Sequence, residues 1–357
     1  MEMKDLIFPA DFLNLTKEDT DKIIKELELD ITDNVDIKSQ LFSIKDQLFE
    51  VESISSLIKS KILAGKTSIK WYKIEFEDED INNLISKLES QTNFFDVVEQ
   101  IDTTQIISPR KYTCIKIGNN TYMMRIMTPT GTKTVNNGRE IRKIQTVNNI
   151  TVIVNLEGKY IEIRSDSASA KKIINNILKP LLGKEIREVN VIAQYHDCLE
   201  TFRDSLNNGK FIDVISKPAL NLDLTREQND VLLGTLKAID EYFINKDIDS
   251  LKDAILAVNL GGGEDIPFTQ LFLAGLSQIG MATRNDIRED LSSQSLYGIL
   301  KSYMTSQSGY ISFTLDVDEE IPHFYTILVG IKTTNSITFR SSSTEQAINY
   351  IRSKILG

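Results

Sequence analysis

Two stretches of this chain say nearly the same thing, and they constrain its architecture more than any single motif does. Residues 151–183 read TVIVNLEGKYIEIRSDSASAKKIINNILKPLLG, and residues 327–357 read ILVGIKTTNSITFRSSSTEQAINYIRSKILG. Each gives an apolar run, a polar turn, a short alternating strand, the signature Arg-Ser-x-Ser, and an amphipathic helix closing on Leu-Gly. The copies align at an offset of 176 through the strand, Arg164 falling on Arg340, and at 174 through the helix. There Ile173, Ile174, Ile177, Leu181 and Leu182 fall on Ala347, Ile348, Ile351, Ile355 and Leu356, the spacing of one buried face. Each Ser-rich turn offers an N-cap, a side-chain oxygen accepting from a free backbone N–H of the first turn. Strand–turn–strand–helix units also recur by chance, but the extent of the match favours a duplication, each helix packing on its own small antiparallel sheet.

At 357 residues the chain is long enough for two or three domains and a sizeable core. No apolar run approaches the ~18 residues a membrane span needs, and the opening MEMKDLIFPADF lacks the layout of a secretory signal. Two cysteines, Cys114 and Cys198, make a disulfide framework unexpected and fit a reducing, cytoplasmic setting.

The net charge of −10 hides a strong asymmetry. Residues 1–107 carry 12 Lys/Arg against 23 Asp/Glu, residues 108–187 carry 15 against 5, and residues 188–357 carry 14 against 23. A basic segment between two acidic ones either meets an external polyanion or is neutralised by its neighbours.

Taken in order, residues 1–107 read as an acidic, mostly helical region with one strand. Thr16 is a fair N-cap, and Val35 to Ile62 repeats apolar residues at threes and fours, predicting one long amphipathic helix ending near Gly65. That helix packs on the chain's own body or pairs with a second copy, so self-association is a candidate partner interaction. Residues 68–76 (SIKWYKIEF) alternate as a strand, and the acids Glu77–Asp80 suit the first turn of a helix. Residues 108–187 read as an antiparallel β-meander of about five strands with a capping helix. Residues 188–306 read as a helical insert, with pieces over 189–206, 225–244, 248–258, 267–279 and 284–304. Residues 307–357 return to strands and a helix. The fold class is α+β: helical N-terminal region, basic strand–helix unit, helical insert, and a second strand–strand–helix unit resembling the first.

Three stretches invite a chemical reading and do not support one. Ala64-Gly65-Lys66-Thr67 has the end of a phosphate-binding loop, but a helix precedes it and a strand follows, the reverse of the required order. Gly261-Gly262-Gly263 precedes Glu264 and Asp265, which would repel a phosphate. His196, Asp197 and Cys198 lack the spacing of a dyad or a metal site, although Cys198 and His323 remain free to meet across the fold. No catalytic residue, metal ligand or cofactor is therefore assigned, and the chain leans away from being an enzyme.

The candidate site is the basic set Lys111, Lys116, Arg125, Lys133, Arg139, Arg142, Lys143, Lys171 and Lys172, with Arg164 recurring in the repeat. Phosphate contacts need cations and little else, and Tyr112, Tyr122 and Tyr160 between them suit base stacking. The expected function is a non-catalytic intracellular binding protein contacting nucleic acid or another polyanion, such as an acidic protein. The alternatives are a scaffold or accessory subunit of a bacterial or viral complex without a nucleic-acid ligand, and an enzyme whose site is scattered.

Overall fold

The computed structural model describes residues 2–29, 36–65, 67–90, 111–136, 138–218, 279–282, 290–293, 304–318, 321–330 and 335–357, with isolated positions between 234 and 253 and at 297. Along the chain run helices α1 (Lys17–Glu26), α2 (Ile37–Ser43), α3 (Lys45–Glu50) and α4 (Glu52–Lys61), strand β1 (Ser68–Glu75) and helix α5 (Ile81–Glu89). Strands β2 (Lys111–Gly118), β3 (Thr121–Asn136), β4 (Ile141–Asn155) and β5 (Tyr160–Arg164) follow. Helix α6 (Ser167–Ile173), a π turn (Ile174–Leu178) and α7 (Lys179–Leu182) then lead to β6 (Glu185–Glu188). After α8 (Leu199–Asp204) come β7 (Lys210–Pro218), β8 (Ile279–Ala282), β9 (Met304–Asp318), β10 (Ile321–Gly330), β11 (Ile337–Phe339) and α9 (Glu345–Leu356). The protein is α+β, with an antiparallel sheet and helices.

The chain divides into two compact units. The first holds Met1–His196, Tyr325–Ile327 and Thr333–Gly357. Its sheet runs β2-β3-β4-β5-β1-β11, with β6 beside β1. Alternation sends Cys114, Tyr122, Met124, Val152, Ile161 and Ile163 to one face, where Leu84 and Leu88 of α5 and Ile173, Ile177 and Leu182 of the α6–α7 segment cover them. The intervening Ile115, Met123, Met127 and Ile153 go to the other face, beneath Phe12, Leu41, Leu48, Ile54, Ile58 and Ile62. A sheet covered on both sides explains why β3 is buried at every position from Tyr122 to Thr128 instead of at alternate ones.

The expected long helix is broken into three. Ile44 (φ −107°, ψ 20°) and Val51 (φ −90°, ψ 114°) leave the helical region between α2, α3 and α4. The breaks let one apolar stripe bend over a twisted sheet, which a straight rod of that length cannot follow. Its apolar residues Leu41, Leu48, Ile54, Ile58 and Ile62 pack on the chain's own sheet, the first of the two outcomes its stripe allows. The apolar rhythm is the same for either outcome, because packing on a sheet and pairing in a coil use the same stripe. Past Lys61 the chain turns at Gly65, whose φ of +55° and contact with Asn14 leave no room for a Cβ.

The Arg-Ser-x-Ser strand and the helix of each half of the internal repeat lie in this unit, with one correction. β5 and β11 flank the same strand, β1, each antiparallel to it, instead of founding two sheets. Glu162 lies opposite Ile153, on the face away from Ile161 and Ile163, and it receives Arg352 of α9. The helix of the first copy therefore covers one face of the shared sheet and the helix of the second copy the other. Caps differ in kind: Asp166 accepts from the N–H groups of Ala168 and Ser169, and Thr344 from that of Ala347. The buried positions match as the alignment predicts, Ile173, Ile174 and Ile177 against Ala347, Ile348 and Ile351.

The second unit holds Asp197–Phe324 and Leu328–Lys332. Its β7 pairs antiparallel with β9 (Phe211 opposite Ile311) and with β8 (Val214 opposite Met281), while α8 contributes Leu199 and Phe202 to the core. These strands correct the expectation of a helical insert. Residues 210–217 (KFIDVISK) are a short run rich in aromatic and β-branched residues without a clean alternation, and the Asn-Asn-Gly turn before them reads as a break between helices. The expected helices over 225–244, 248–258, 267–279 and 284–304 and the triple-glycine loop lie largely or wholly outside the described residues.

A buried ionic cluster joins β1, β5 and α9. Glu162 is fully buried and accepts from Trp71 Nε1 at 2.9 Å, Arg164 Nε at 3.0 Å and Arg352 Nε at 2.7 Å. Burial alone would raise its pKa, but Arg164 and Arg352 outweigh burial and hold it below the ordinary carboxylate value. A group depressed on folding contributes stability that is present above its unfolded pKa and lost as pH falls through its folded value. Chemical denaturation followed at a series of pH values should show a plateau near neutrality and a decline below about pH 4.3, the ordinary value for Glu. In Glu162→Gln that acid limb should shrink, and stability at pH 7 should fall by about 3 kcal/mol because the buried Arg164 and the half-buried Arg352 lose the carboxylate they share.

Candidate nucleic-acid interface

The nine candidate cations separate by where the strands carry them. Among the described residues, β2 pairs with β3 between Lys111–Met127 and Gly118–Thr121, and β5 pairs with β4 over Thr151–Asn155. β3 and β4 continue together well past those limits, from Pro129–Val147 to Asn136–Ile141, with a register shift between Pro129 and Gly131. Every residue of β3 from Pro129 onward is exposed, and so are Ile141 to Ile144 on β4. The result is a two-stranded arm standing off the sheet, about 25 Å long at the usual rise of a strand. Its turn is closed by Asn136, whose Oδ1 accepts from the Gly138 N–H at 2.8 Å, with Gly138 at a φ of +81°.

Four of the nine lie on this arm: Lys133, Arg139, Arg142 and Lys143, against a single carboxylate, Glu140. Directly paired residues share a face, so Lys133 and Ile144 lie with Val135 and Arg142 on one side. Thr134 and Lys143 lie with Asn136 and Ile141 on the other. Arg139 is exposed at the turn. Arg142 is 72% exposed and pairs with Glu140, also at the surface, a pairing worth little against a phosphate. Val135, Ile141 and Ile144 are exposed as well, at 39%, 73% and 44%.

Lys172 meets the arm at its root. A cavity of about 220 Å³ lies between β3 and α6, lined by Thr128, Pro129, Thr130, Ser169 and Lys172 over Ile150 and Ile173. Lys171 is exposed on the same helix. Lys116 is exposed but stands opposite Tyr122, six residues from Thr128 along the strand and therefore about 20 Å from the arm. Backbone register puts Lys111 opposite Met127, at the arm's base.

Arg125 does not belong to an external surface, which corrects the expectation from its sequence. It is 2% exposed and bonds both carboxylate oxygens of Asp11, at 2.8 and 2.7 Å, with Thr151 as a further acceptor and the Phe8 ring 5.2 Å away. A guanidinium on a sheet face is available to a ligand only if nothing covers that face, and here the acidic N-terminal segment does. Arg164 is likewise buried, bonded to Glu162, Glu345 and the Leu63 carbonyl. Lys159, Lys184 and Arg187 pair with Asp78, Asp80 and Glu75. Part of the basic segment is thus neutralised internally, and the arm is what projects.

Tyr122 and Tyr160 do not supply stacking platforms, and the side chain of Tyr112 lies outside what the structure describes. Tyr122 is fully buried, its hydroxyl donates to Glu89 at 3.1 Å, and burial with that carboxylate pushes its pKa up to about 12. Tyr160 is half-buried with the Arg352 guanidinium over its ring. No alternation rule distinguishes these tyrosines from exposed ones, because both faces of the sheet are covered.

The remaining sequence candidates hold no chemistry among the described residues. Cys198 donates to Glu200 at 3.2 Å, and Glu200 also accepts from Tyr297 at 2.7 Å. Burial pushes the Cys114 thiol up to about 12, which makes it a core group. No group of three His, Cys, Asp or Glu side chains that could hold a metal occurs among the described residues. No helix among them is long and apolar enough to cross a membrane. No protein family and no curated protein matches this chain.

Burial separates the candidate cations in a way that thermal unfolding can check. Arg125→Ala, which strands the buried Asp11, should cost about 3–5 kcal/mol. Lys143→Ala on the arm should change stability by less than about 0.5 kcal/mol.

Proposed function

We propose that this protein binds double-stranded nucleic acid without chemical turnover, by laying its basic β-arm into the major groove. The observation that carries this reading is the arm itself: two paired strands exposed on both faces, with four cations against one carboxylate. The major groove, about 12 Å wide, admits a two-stranded ribbon. Cations on both faces of a ribbon reach the phosphates on both walls of a groove, whereas a single basic face reaches one. The burial of Tyr122 and the engagement of Tyr160 favour a duplex over a single strand, whose recognition draws on exposed aromatic faces. Lys172 and the hydroxyl-lined cavity at the arm's root lie where a flanking phosphate would pass. The two free cysteines fit a reducing compartment, and a nucleic-acid ligand fits the cytoplasm.

A mobility-shift titration with duplex and single-stranded DNA over a range of salt concentrations tests this. The wild type should prefer the duplex, with log K falling linearly against log salt. Changing Lys133, Arg139, Arg142 and Lys143 together to Ala should flatten that slope by about 3 to 4, near 0.9 for each phosphate no longer neutralised. Absence of duplex binding by the wild type at low salt would overturn the proposal and leave the arm to a protein partner.

A further inference from the structure

The arm carries more than its charges require. Seven large apolar side chains are notably exposed among the described residues, and three of them, Val135, Ile141 and Ile144, belong to this one hairpin. Scattered apolar residues on a surface need no explanation, but a concentration of them on an unsupported ribbon does. Phosphates cannot use them.

Val135 and Ile144 share a face with Lys133 and Arg142. The pairs run Val135 opposite Arg142 and Lys133 opposite Ile144, so the four form a checkerboard in which the apolar groups occupy one diagonal and the cations the other. Diagonal neighbours on an antiparallel pair stand about 7–8 Å apart. That is close to two base-pair steps of about 3.4 Å each. The floor of the major groove offers one apolar group to such a pair, the 5-methyl of thymine.

We infer that Val135 and Ile144 read thymine methyl groups two steps apart, so that the arm prefers A·T-rich duplex DNA. This rests on the reading of the arm as a groove-binding ribbon. Lys133 and Arg142 on the same face hold the ribbon between phosphates, and the apolar diagonal contributes free energy only where a methyl group meets it. The opposite face, with Thr134, Asn136, Ile141 and Lys143, has one apolar residue and no such pair.

Replacing thymine by uracil removes the methyl group and leaves every Watson–Crick and major-groove hydrogen-bonding atom in place. Titrations of the full chain against an alternating A·T duplex and its A·U deoxyribonucleotide counterpart should show tighter binding to the former. The expected ratio is roughly fifteenfold, at about fourfold for each of the two methyl groups engaged. The double variant Val135→Ser, Ile144→Ser removes the apolar pair from an exposed ribbon, and it should bind the two duplexes equally, at the wild type's affinity for the A·U duplex. Equal wild-type affinity for the two duplexes would overturn the methyl reading and leave groove binding intact. A variant that loses affinity for both duplexes alike, or whose free mass by light scattering differs from the wild type's, would also overturn it, the latter by assigning the apolar pair to a second copy. Failure of the wild type to bind either duplex at low salt would overturn the groove-binding proposal itself.

Discussion

The ionic cluster around Glu162 is the interaction on which the first unit depends. A carboxylate with no exposure to water is tolerable only when its charge is answered at close range and its lone pairs are filled. Arg164, Arg352 and the Trp71 indole meet that demand from β5, α9 and β1. Arg164 reaches on to the Leu63 carbonyl and to Glu345 in the first turn of α9. The first copy of the repeat is thereby tied to the helix of the second, across 181 to 190 residues of chain. Ser343 adds a second tie, donating from its backbone and its hydroxyl to the Gly65 carbonyl at 3.1 and 2.6 Å. An apolar contact there would stabilise as well; the charged one also specifies which helix sits on which face.

This arrangement explains how much of the fold is legible in the sequence. Strand β1, the helical first turn around Asp78–Asp80, the β-meander and both amphipathic helices of the repeat follow from local periodicity and capping residues, and those signals act within a few residues. The merging of the two repeats on one strand does not follow from them. It depends on β1 having two free edges, and on Glu162 and Arg352 finding each other 190 residues apart. The same limit explains the broken N-terminal helix, since an apolar stripe records that a face is buried but not the curvature of what buries it. Strand β7 is hidden for a different reason: its apolar residues come in adjacent pairs with register shifts instead of an alternation, and the turn beside it is the stronger local mark.

Legibility of the candidate site divides along the same line. Sequence alone marks residues 108–187 as basic, and the arm's cations all fall within that set. What charge cannot record is cover. Arg125 and Lys133 lie on one strand eight residues apart, yet one is sealed under Asp11 and Phe8 and the other is exposed. The difference arises where β3 and β4 run on past the pairing of β5, which ends at Thr151. A count of residues between the turns does hint at it, because β3 and β4, at 16 and 15 residues, are far longer than β5 and β1, at five and eight.

The length of the arm has an electrostatic consequence for the proposed function. The arm carries +3 of a chain whose total is −10, so the remainder stands at −13. A polyanion approaching that remainder is repelled, and cations set flush with it would act against their own background. Repulsion between exposed charges fades over about 8 Å at physiological ionic strength. An arm of about 25 Å carries Lys133 to Lys143 beyond that range, where their field is their own. The acidic surface then has a role of its own: a duplex is held at the tip and kept from collapsing onto the sheet, and weak contacts elsewhere on the surface are suppressed. Arg125 and Arg164 serve the opposite arrangement, cations buried against carboxylates where no ligand competes for them. A single basic segment is thereby sorted into mortar and instrument by the point at which β3 and β4 run on past the pairing of β5.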